Sequence, residues 1–290
     1  MNRARLDRNT RLFGCEGQDK ISACRVAIIG IGGLGTHVVQ QLSFLGVGAL
    51  TLVDDEVIDR TNLNRYVGVR WDDSDSKISK VDVGERLAQN IDPEIHVNKV
   101  RENLISEIAF NAVIASDYVF GCLDSEGARL ILNELCAAYD RPLFDLATEI
   151  HTEGKPVYGG RVCVTGTGCI VCRDVLDLTE AQKDLENLGA RRFRAQIYGI
   201  SRIALPRSGP SVVSINGVIA SLAVTEFMAS VTGIRRAIGL LTYRAELGRV
   251  TVCTDPAKPD CYCCKGIRGI RDRADVQRYI RKGVCETLSR

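Results

Sequence analysis

Residues 27–65 read AIIGIGGLGTHVVQQLSFLGVGALTLVDDEVIDRTNLNR, and they predict a strand, a glycine turn, a helix and a second strand. The apolar run Val26–Ile29 leads into the turn, and a second apolar run, Leu50–Val53, ends at Asp54. The glycines of the turn are Gly30, Gly32, Gly33 and Gly35. Such glycines bring backbone N–H groups against phosphate oxygens, and an acid about 20 residues later accepts hydrogen bonds from a ribose. The stretch therefore predicts a nucleotide site.

The residues beyond Asp54 indicate which nucleotide binds, because a glycine turn alone fits NAD, FAD and ATP-type ligands. The chain supplies Asn62, Arg65 and Lys80, and Asp124 further on. Two cations beside a phosphate cradle favour a triphosphate, and Asp124 is suited to the Mg²⁺ that ATP chemistry requires. Plainer interpretations remain: Arg65 and Lys80 as surface cations, and Asp124 as the cap of the next helix.

The order and spacing of these residues carry a family resemblance. The pattern has four parts: Asp54, Asn62-Leu63-Asn64-Arg65, Lys80 and Cys122-Leu123-Asp124-Ser125. From about Arg8 to Cys264 the chain resembles the ThiF/MoeB/HesA superfamily, the ubiquitin-activating-type adenylyltransferases. The resemblance implies that Asn62, Arg65 and Lys80 contact the triphosphate and that Asp124 binds Mg²⁺. One departure is Lys77, which stands where the family usually has glycine, so the loop before Lys80 is expected to differ in shape.

Two further segments are similar to a bacterial branch of this superfamily, Gly160-Arg161-Val162 and Pro210-Ser211-Val212-Val213-Ser214. That branch is often encoded beside ubiquitin-like proteins, conjugating enzymes and deconjugating proteases. The resemblance implies adenylation of the C-terminal glycine of a ubiquitin-like or sulfur-carrier protein, with handover to a conjugating enzyme or a sulfur donor. It also implies that Arg8 reaches the γ-phosphate from the other subunit of a homodimer, with Arg11 as the competing arginine.

Twelve cysteines in a chain without a recognisable secretory signal argue against a disulfide framework. Four of them form two C-x-x-C pairs, Cys169 with Cys172 and Cys261 with Cys264. Two such knuckles suit a closed tetrahedral zinc site, which is structural because it leaves no position for water. A redox pair and coincidence are the alternatives. Cys263 lies inside the second knuckle, but choosing it as a ligand would break the spacing.

The chain is predicted to have an α/β fold: a Rossmann-like, mainly parallel sheet flanked by helices, with an antiparallel extension and a four-cysteine zinc knuckle. We expect an N-terminal helical arm over residues 1–24 and an adenylation domain over 25–265. Residues 173–209, long and polar, correspond in the family to a crossover loop above the active site. Residues 266–290 are expected to form an amphipathic C-terminal helix.

Thioester chemistry is the least predictable step. Family members that form a thioester carry a cysteine in the crossover loop, but residues 173–252 contain none. Burial is expected for Cys24, Cys163 and Cys253, which lie in or beside predicted strands. Exposure is expected for the remaining candidates, Cys15, Cys263 and Cys285. Three possibilities stay open: direct transfer of the acyl group to a thiol of another protein, an unusual cysteine in this chain, or replacement of the expected cysteine. We favour direct transfer.

The bulk composition adds limits rather than a function. The net charge of +2 gives no argument for nucleic acid or a membrane, and the apolar stretch 211–232 carries Glu226, which a membrane span tolerates poorly. A cytoplasmic protein is expected. Four alternatives stay open: adenylation of a small peptide, adenylation of a tRNA base, a nicotinamide dehydrogenase, and a non-catalytic scaffold subunit. The dehydrogenase has no use for Arg65 and Lys80, and a scaffold subunit would be expected to lack such residues.

Overall fold

The computed structural model describes residues 3–185 and 210–282, and these form one mixed sheet of eight strands with helices on both faces. The strands are β1 (Arg25–Ile29), β2 (Ala49–Val53), β3 (His96–Val100), β4 (Tyr118–Gly121), β5 (Leu143–His151), β6 (Val157–Val164), β7 (Leu240–Arg244) and β8 (Arg249–Val252). Their order is β3-β2-β1-β4-β5-β6-β7-β8. Pairs from β3 to β5 are parallel and pairs from β5 to β8 are antiparallel, which confirms the predicted fold class.

Two parts of the antiparallel extension differ from the sequence prediction. The apolar run that marks β5 in the sequence covers only its first residues, whereas the strand continues to His151, because its second half pairs with β6 while its side chains reach solvent. An apolar run reveals only the buried half of such a strand. The stretch from Leu241 to Cys253 favours one strand but forms two, β7 and β8, because Gly248 takes a left-handed φ of 58° between them.

Helices cover both faces of the sheet. They are α1 (Asp7–Ala23), α2 (Gly33–Leu45), α3 (Lys80–Ile91), α4 (Glu107–Ala115), α5 (Glu126–Ala138), α6 (Leu178–Asp184), α7 (Val213–Thr232) and α8 (Arg278–Arg281). Helices α1, α2, α3 and α7 pack on one face, over a cluster that includes Leu52 and Phe227. Helices α4 and α5 pack on the other, over a cluster that includes Phe110 and Leu132. The apolar runs of β1 and β2 are therefore buried from both sides, as parallel strands require.

Helix α7 is, among the described helices, the one long and apolar enough to cross a membrane. Half of its apolar window is buried inside the protein, where Ile219 and Phe227 face the sheet. Glu226 is 2% exposed and accepts two hydrogen bonds of 2.6 Å from the guanidinium of Arg235. A buried charge with its own partner is typical of a helix that covers a sheet, so α7 is a core helix.

The described part of the C-terminal tail does not form the single helix expected for residues 266–290. A 3-10 turn, Arg271–Ala274, and the short α8 stand in its place. Asp275 between them has φ of 52°, a left-handed conformation that interrupts a helix. The tail nevertheless docks, because Val276 is fully buried and Tyr279 donates a 3.1 Å hydrogen bond to Glu134 of α5.

Only the beginning of the predicted crossover loop lies within the described residues. Helix α6 occupies part of residues 173–185 and packs on α5 through Ala181, which is fully buried. The remainder of the segment, residues 186–209, lies outside the described residues, and so do its four arginines: Arg191, Arg192, Arg194 and Arg202.

Candidate nucleotide site and cysteine cluster

The glycine turn lies between β1 and α2 and is shaped by close backbone approaches. Gly30 has φ of 90°, and a Cβ there would lie 2.6 Å from the carbonyl oxygen of Cys122. A Cβ on Gly35 would lie 2.0 Å from the carbonyl oxygen of Gly30. Helix α2 begins after Gly32 with no side-chain cap, so the N–H groups of its first turn remain available. Such a terminus is suited to phosphate oxygens.

Asp54 follows β2 and fastens the turn to the strand. Its Oδ2 accepts a 2.7 Å hydrogen bond from the N–H of Ile31, and its Oδ1 accepts one of 2.9 Å from the N–H of Glu56. Burial raises the pKa of Asp54 to about 6, against the opposing charge of Lys80. Both carboxylate oxygens thus hold backbone groups, and each keeps a further lone pair for a ribose hydroxyl.

Lys80 is the first residue of α3 and is buried at 7% exposure. Its ammonium pairs with Glu56 and lies 5.4 Å from the ring centroid of Tyr66. Burial is the strongest single influence and works against the charged form, but the charge of Asp54, the Tyr66 ring and the hydrogen bond to Glu56 together raise the pKa of Lys80. Lys80 is therefore a fixed cation next to Asp54, and its interpretation as a surface cation is wrong.

In the loop that leads to Lys80, residue 77 has a backbone conformation that glycine adopts more easily than lysine. Lys77 has φ of 50°, in the left-handed region where glycine is favoured. Two backbone hydrogen bonds fasten the loop, from Ile58 N–H to the oxygen of Ile78 (2.8 Å) and from Lys80 N–H to the oxygen of Glu56 (3.0 Å). The loop therefore accepts lysine in place of the glycine usual in the family, at the cost of backbone strain at Lys77.

Asn62 is buried and its carboxamide oxygen is already engaged. That oxygen accepts a 2.9 Å hydrogen bond from the N–H of Asp59 and completes the cap of a 3-10 turn, Arg60–Asn62. Of the Asn62 side chain, the NH₂ group is therefore what remains to contact a nucleotide. The oxygen is a structural group of this loop.

Arg65 lies beside the start of α2. Its Cγ is 3.5 Å from where a Cβ of Gly33 would stand, and its guanidinium donates to Asn64 Oδ1 at 3.0 Å. It lies 5.4 Å from the ring centroid of Tyr66, on the same ring that Lys80 approaches. Arg65 is half-buried and its side-chain stem lies against Gly33, so a second cation stands beside the glycine turn.

Asp124 lies in the turn after β4 and is exposed. Its interpretation as a helix cap is wrong, because Ser125 is the N-cap of α5 and accepts a 3.3 Å hydrogen bond from the N–H of Ala128. Within residues 3–185 and 210–282, Asp124 makes no hydrogen bond or ion pair. A carboxylate of this kind, next to a phosphate cradle, fits Mg²⁺, which usually takes one or two carboxylates and phosphate oxygens.

Arg8 does not reach the glycine turn of its own chain. Arg5, just before it, donates a 3.1 Å hydrogen bond to the carbonyl oxygen of Ser43, near the C-terminal end of α2. Helix α2 is about 20 Å long, so the first turn of α1 lies far from the turn at the other end of α2. Arg8 is exposed, whereas Arg11 pairs with Asp7.

Three residues of this region were missed by sequence reasoning. Tyr66 lies between the two cations, Glu56 pairs with Lys80, and the Nδ2 of Asn216 in α7 occupies the space beside Gly33, 2.4 Å from where a Cβ would stand. For Asn216 a signal existed, since a buried amide stands out in an apolar helix. Tyr66 and Glu56 are ordinary loop residues until the fold brings them together.

The predicted zinc ligands form one cluster, and the sulfur atoms of Cys169, Cys172, Cys261 and Cys264 lie within 4.8 Å of one another. Three sulfur pairs are 3.6, 3.8 and 3.8 Å apart. A tetrahedral site with Zn–S bonds of about 2.3 Å places its sulfurs about 3.8 Å apart. The cluster therefore fits zinc. A hydrogen bond from Cys263 is foremost in lowering the pKa of Cys169 to about 4, whereas burial raises the pKa values of Cys172 and Cys264, so Cys169 is the first of these three thiols to ionise.

The other cysteines follow the expected burial with two exceptions. Cys24 and Cys163 are buried and Cys15 is exposed, as expected. The expectation for Cys263 is wrong, because its thiol turns inward toward Cys169 and the residue is 2% exposed. Cys253 is only partly buried, since it follows the edge strand β8, and Cys285 lies outside the described residues.

Comparisons with known proteins agree with this architecture. Among curated proteins, the chain is 33% identical to the SAMP-activating enzyme E1 of Haloferax volcanii, over 49% of this chain and 54% of that protein. It is 33% identical to the sulfur carrier protein ThiS adenylyltransferase of Escherichia coli, over 54% of this chain and 61% of that protein. The chain thus spans little more than half the length of these relatives.

Solved structures share the fold. MccB of Escherichia coli with ATP has a TM-score of 0.66 at 22% identity, over 90% of this chain and 74% of that chain. The microcin C7 biosynthetic enzyme MccB in complex with N-formylated MccA has a TM-score of 0.69 at 23% identity, over 91% and 75%. The model of the ThiF family matches residues 6–265. Because that match covers nearly the whole chain, the protein belongs to the ThiF family.

Proposed function

We propose that this protein uses ATP and Mg²⁺ to adenylate the C-terminal glycine of a ubiquitin-like or sulfur-carrier protein, releasing pyrophosphate. The observation that carries the proposal is the gathering of a glycine cradle, two cations and two carboxylates at the ends of three adjacent parallel strands. These groups are the turn at Gly30, with Arg65, Lys80, Asp54 and Asp124 around it. The carboxyl ends of parallel strands are where α/β sheets bind ligands.

The reaction joins a carboxylate to the α-phosphate while negative charge develops on the leaving pyrophosphate. Fixed dipoles and cations stabilise such charge best when they need no rearrangement. The first-turn N–H groups of α2, with Arg65 and Lys80, would hold the phosphates, Asn62 would donate its NH₂ group, and Asp54 would hold the ribose. Asp124 would hold Mg²⁺, which supplies charge neutralisation when bound.

The relatives and the cysteine cluster support a protein partner. The names of the two curated relatives refer to SAMP and to the sulfur carrier ThiS, and both are called activating or adenylylating enzymes. We propose a structural zinc at the four-cysteine cluster, which would brace the extension below the active edge. Adenylation of a small peptide is the second candidate, favoured by the shared fold of MccB, which the solved complex holds with MccA.

A homodimer is part of the proposal. An uncharged stripe runs along α7 beside two residues of α2, around an open groove of about 420 Å³. Its residues are His37, Gln41, Ser214, Gly217, Val218, Ser221, Leu222 and Thr225. The stripe starts next to the glycine turn, so a second copy seated on it would lie near the nucleotide, and its Arg8 would serve as the phosphate-contacting arginine. Small side chains on one helix face permit such close packing.

The fate of the adenylate follows from the cysteines. Residues 173–252 hold no cysteine, so the acyl group would pass directly from the adenylate to a thiol of a conjugating enzyme or to a sulfur donor, with release of AMP. The branch resemblance at residues 160–162 and 210–214 supports a partner from a bacterial ubiquitin-like conjugation system. We propose that the protein works in the cytoplasm, where thiols stay reduced, without nucleic acid or membrane partners.

The testing experiment is ATP–pyrophosphate exchange with the ubiquitin-like protein encoded nearest this gene. The parent is compared with Asp124→Ala, and the partner with a form that lacks its C-terminal glycine. Exchange that needs both the glycine and Asp124 supports the proposal. Binding of Mg-ATP without any exchange would contradict it and favour a scaffold subunit or a peptide substrate. Thermal stabilisation by NADH instead of Mg-ATP would indicate a dehydrogenase.

A further inference from the structure

Helix α6 ends against the first turn of α5, immediately after Asp124. One oxygen of Asp184, Oδ2, accepts two hydrogen bonds, from the hydroxyl of Ser125 at 3.0 Å and from the N–H of Gly127 at 3.1 Å. The hydroxyl oxygen of Ser125 in turn accepts the 3.3 Å hydrogen bond from the N–H of Ala128. A single carboxylate oxygen therefore fixes the turn that carries Asp124.

This contact is a built feature of the fold. A Cβ on Gly127 would lie 2.6 Å from the Cβ of Asp184, so the two helices approach as closely as they do only because residue 127 has no side chain. Helix α6 is fastened at its other end too, where the N–H of Asp177 donates a 2.9 Å hydrogen bond to Glu126 Oε2. Ala181, between these two points, is fully buried. Asp184 is thus held at the turn by helix α6, which is fixed to α5 at both of its ends.

The other side of the same turn is held by the glycine cradle. The N–H of Cys122 donates a 2.8 Å hydrogen bond to the oxygen of Ile29, and the carbonyl of Cys122 lies against Gly30. Asp124 lies between these two fastenings and, among the described residues, has no hydrogen-bonding partner of its own. Its direction is consequently set by the turn, and the turn is set by Cys122 on one side and by Asp184 on the other.

We propose that Asp184 is a positioning residue that aims the carboxylate of Asp124 at the metal on the nucleotide. The inference rests on the proposed function, in which Asp124 holds Mg²⁺. Residues that hydrogen-bond behind a metal ligand typically change metal affinity about 10-fold or more when they are removed. Asp184 acts through Ser125 and Gly127 and needs no contact with ATP. No motif in the sequence indicates a role for Asp184.

The test measures how much Mg²⁺ tightens ATP binding, without any turnover. Isothermal titration calorimetry gives the Kd of ATP with Mg²⁺ and with EDTA, and the ratio of the two is the metal advantage. We compare the parent with Asp184→Ala, Asp184→Asn and Asp124→Ala, with Gln182→Ala on the exposed side of the same helix as the matched control. Because both hydrogen bonds end on one oxygen, the amide oxygen of Asp184→Asn is able to replace it.

In Asp184→Ala we expect the metal advantage to fall about 10-fold while the Kd measured in EDTA stays the same. Asp184→Asn and Gln182→Ala should keep the parental ratio. Should Asp184→Ala be poorly folded, Ser125→Ala removes one of the two donors and should lower the ratio in the same direction.

A parental ratio in Asp184→Ala, with loss of the advantage in Asp124→Ala, overturns the inference and leaves the proposed function standing. A parental ratio in Asp124→Ala overturns the metal role itself. Equal losses in Asp184→Asn and Asp184→Ala would mean that the charge of Asp184 matters instead of its position, and would also overturn the inference.

Discussion

The nucleotide edge, which comprises the glycine turn, Asp54, Lys80 and Asp124 at the carboxyl ends of the parallel strands, differs from the cysteine cluster in what gives it its geometry. At the nucleotide edge, the geometry comes from backbone: a turn with a φ of 90° at Gly30 and the ends of three adjacent strands. At the cysteine cluster, the geometry comes from side chains that lie 92 residues apart in pairs such as Cys169 and Cys261. The first site is a product of the fold, whereas the second would hold the fold together through a bound metal. Changes at the two places should therefore separate activity from stability.

The largest effect is expected at the cysteine cluster. Cys261→Ser should remove zinc and lower the free energy of unfolding by about 3–5 kcal/mol, since loss of a structural metal is among the most damaging changes. Thermal unfolding and metal content by mass spectrometry check this. Cys253→Ser, outside the cluster, is the control and should keep both. Full zinc content in Cys261→Ser would contradict the four-cysteine site.

The second prediction compares alanine substitutions at two glycines of the same turn, Gly35 and Gly32. Gly35→Ala should cost about 1–3 kcal/mol and abolish ATP binding, because its Cβ would stand 2.0 Å from the carbonyl oxygen of Gly30. Gly32→Ala should keep the parental stability, because its nearest protein neighbour would be the Tyr66 hydroxyl at an ordinary 3.5 Å. Calorimetry with ATP and urea unfolding measure both. Similar behaviour of the two variants would contradict the backbone origin of this site.

The third prediction concerns the charge buried at the nucleotide edge. Burial raises the pKa of Asp54 from 3.8 to about 6, so the folded protein binds a proton more tightly than the unfolded chain. Stability from this residue is present below about pH 4 and is lost as the pH rises toward 6, by about 2–3 kcal/mol. Asp54→Asn should remove that slope. Urea unfolding across pH 4–7 tests it, and a constant difference between parent and variant would contradict it.

The smallest effect is expected at Lys77. Its φ of 50° is strained for a side chain, so Lys77→Gly relieves strain but adds entropy to the unfolded chain. The net change in stability should stay within about 1 kcal/mol, with ATP affinity unchanged. Lys77→Val, with a branched side chain, should be worse by a similar amount. A large loss of affinity in Lys77→Gly would mean that the lysine side chain contacts the nucleotide.

The two regions also differ in how well a sequence predicts them. Strands β1 and β2, the glycine turn and the cysteine pairs were predictable, because apolar runs, glycines and spacing act locally. Tyr66 and Glu56 were not, because their proximity to Lys80 results from tertiary packing. The tail failed for a different reason: its helical periodicity was genuine, but the left-handed Asp275 overrides it. Periodicity reports which side chains are buried and does not report the backbone between them.

Asn216 has a consequence for the order in which the molecule becomes functional. Its amide packs against Gly33, so a wall of the phosphate cradle comes from a helix that begins at Val213, long after the turn itself in the chain. During synthesis, the turn emerges from the ribosome without this wall. A nascent chain that stops before α7 should therefore fail to retain ATP. Nucleotide binding would then report that α7 has packed against the glycine turn.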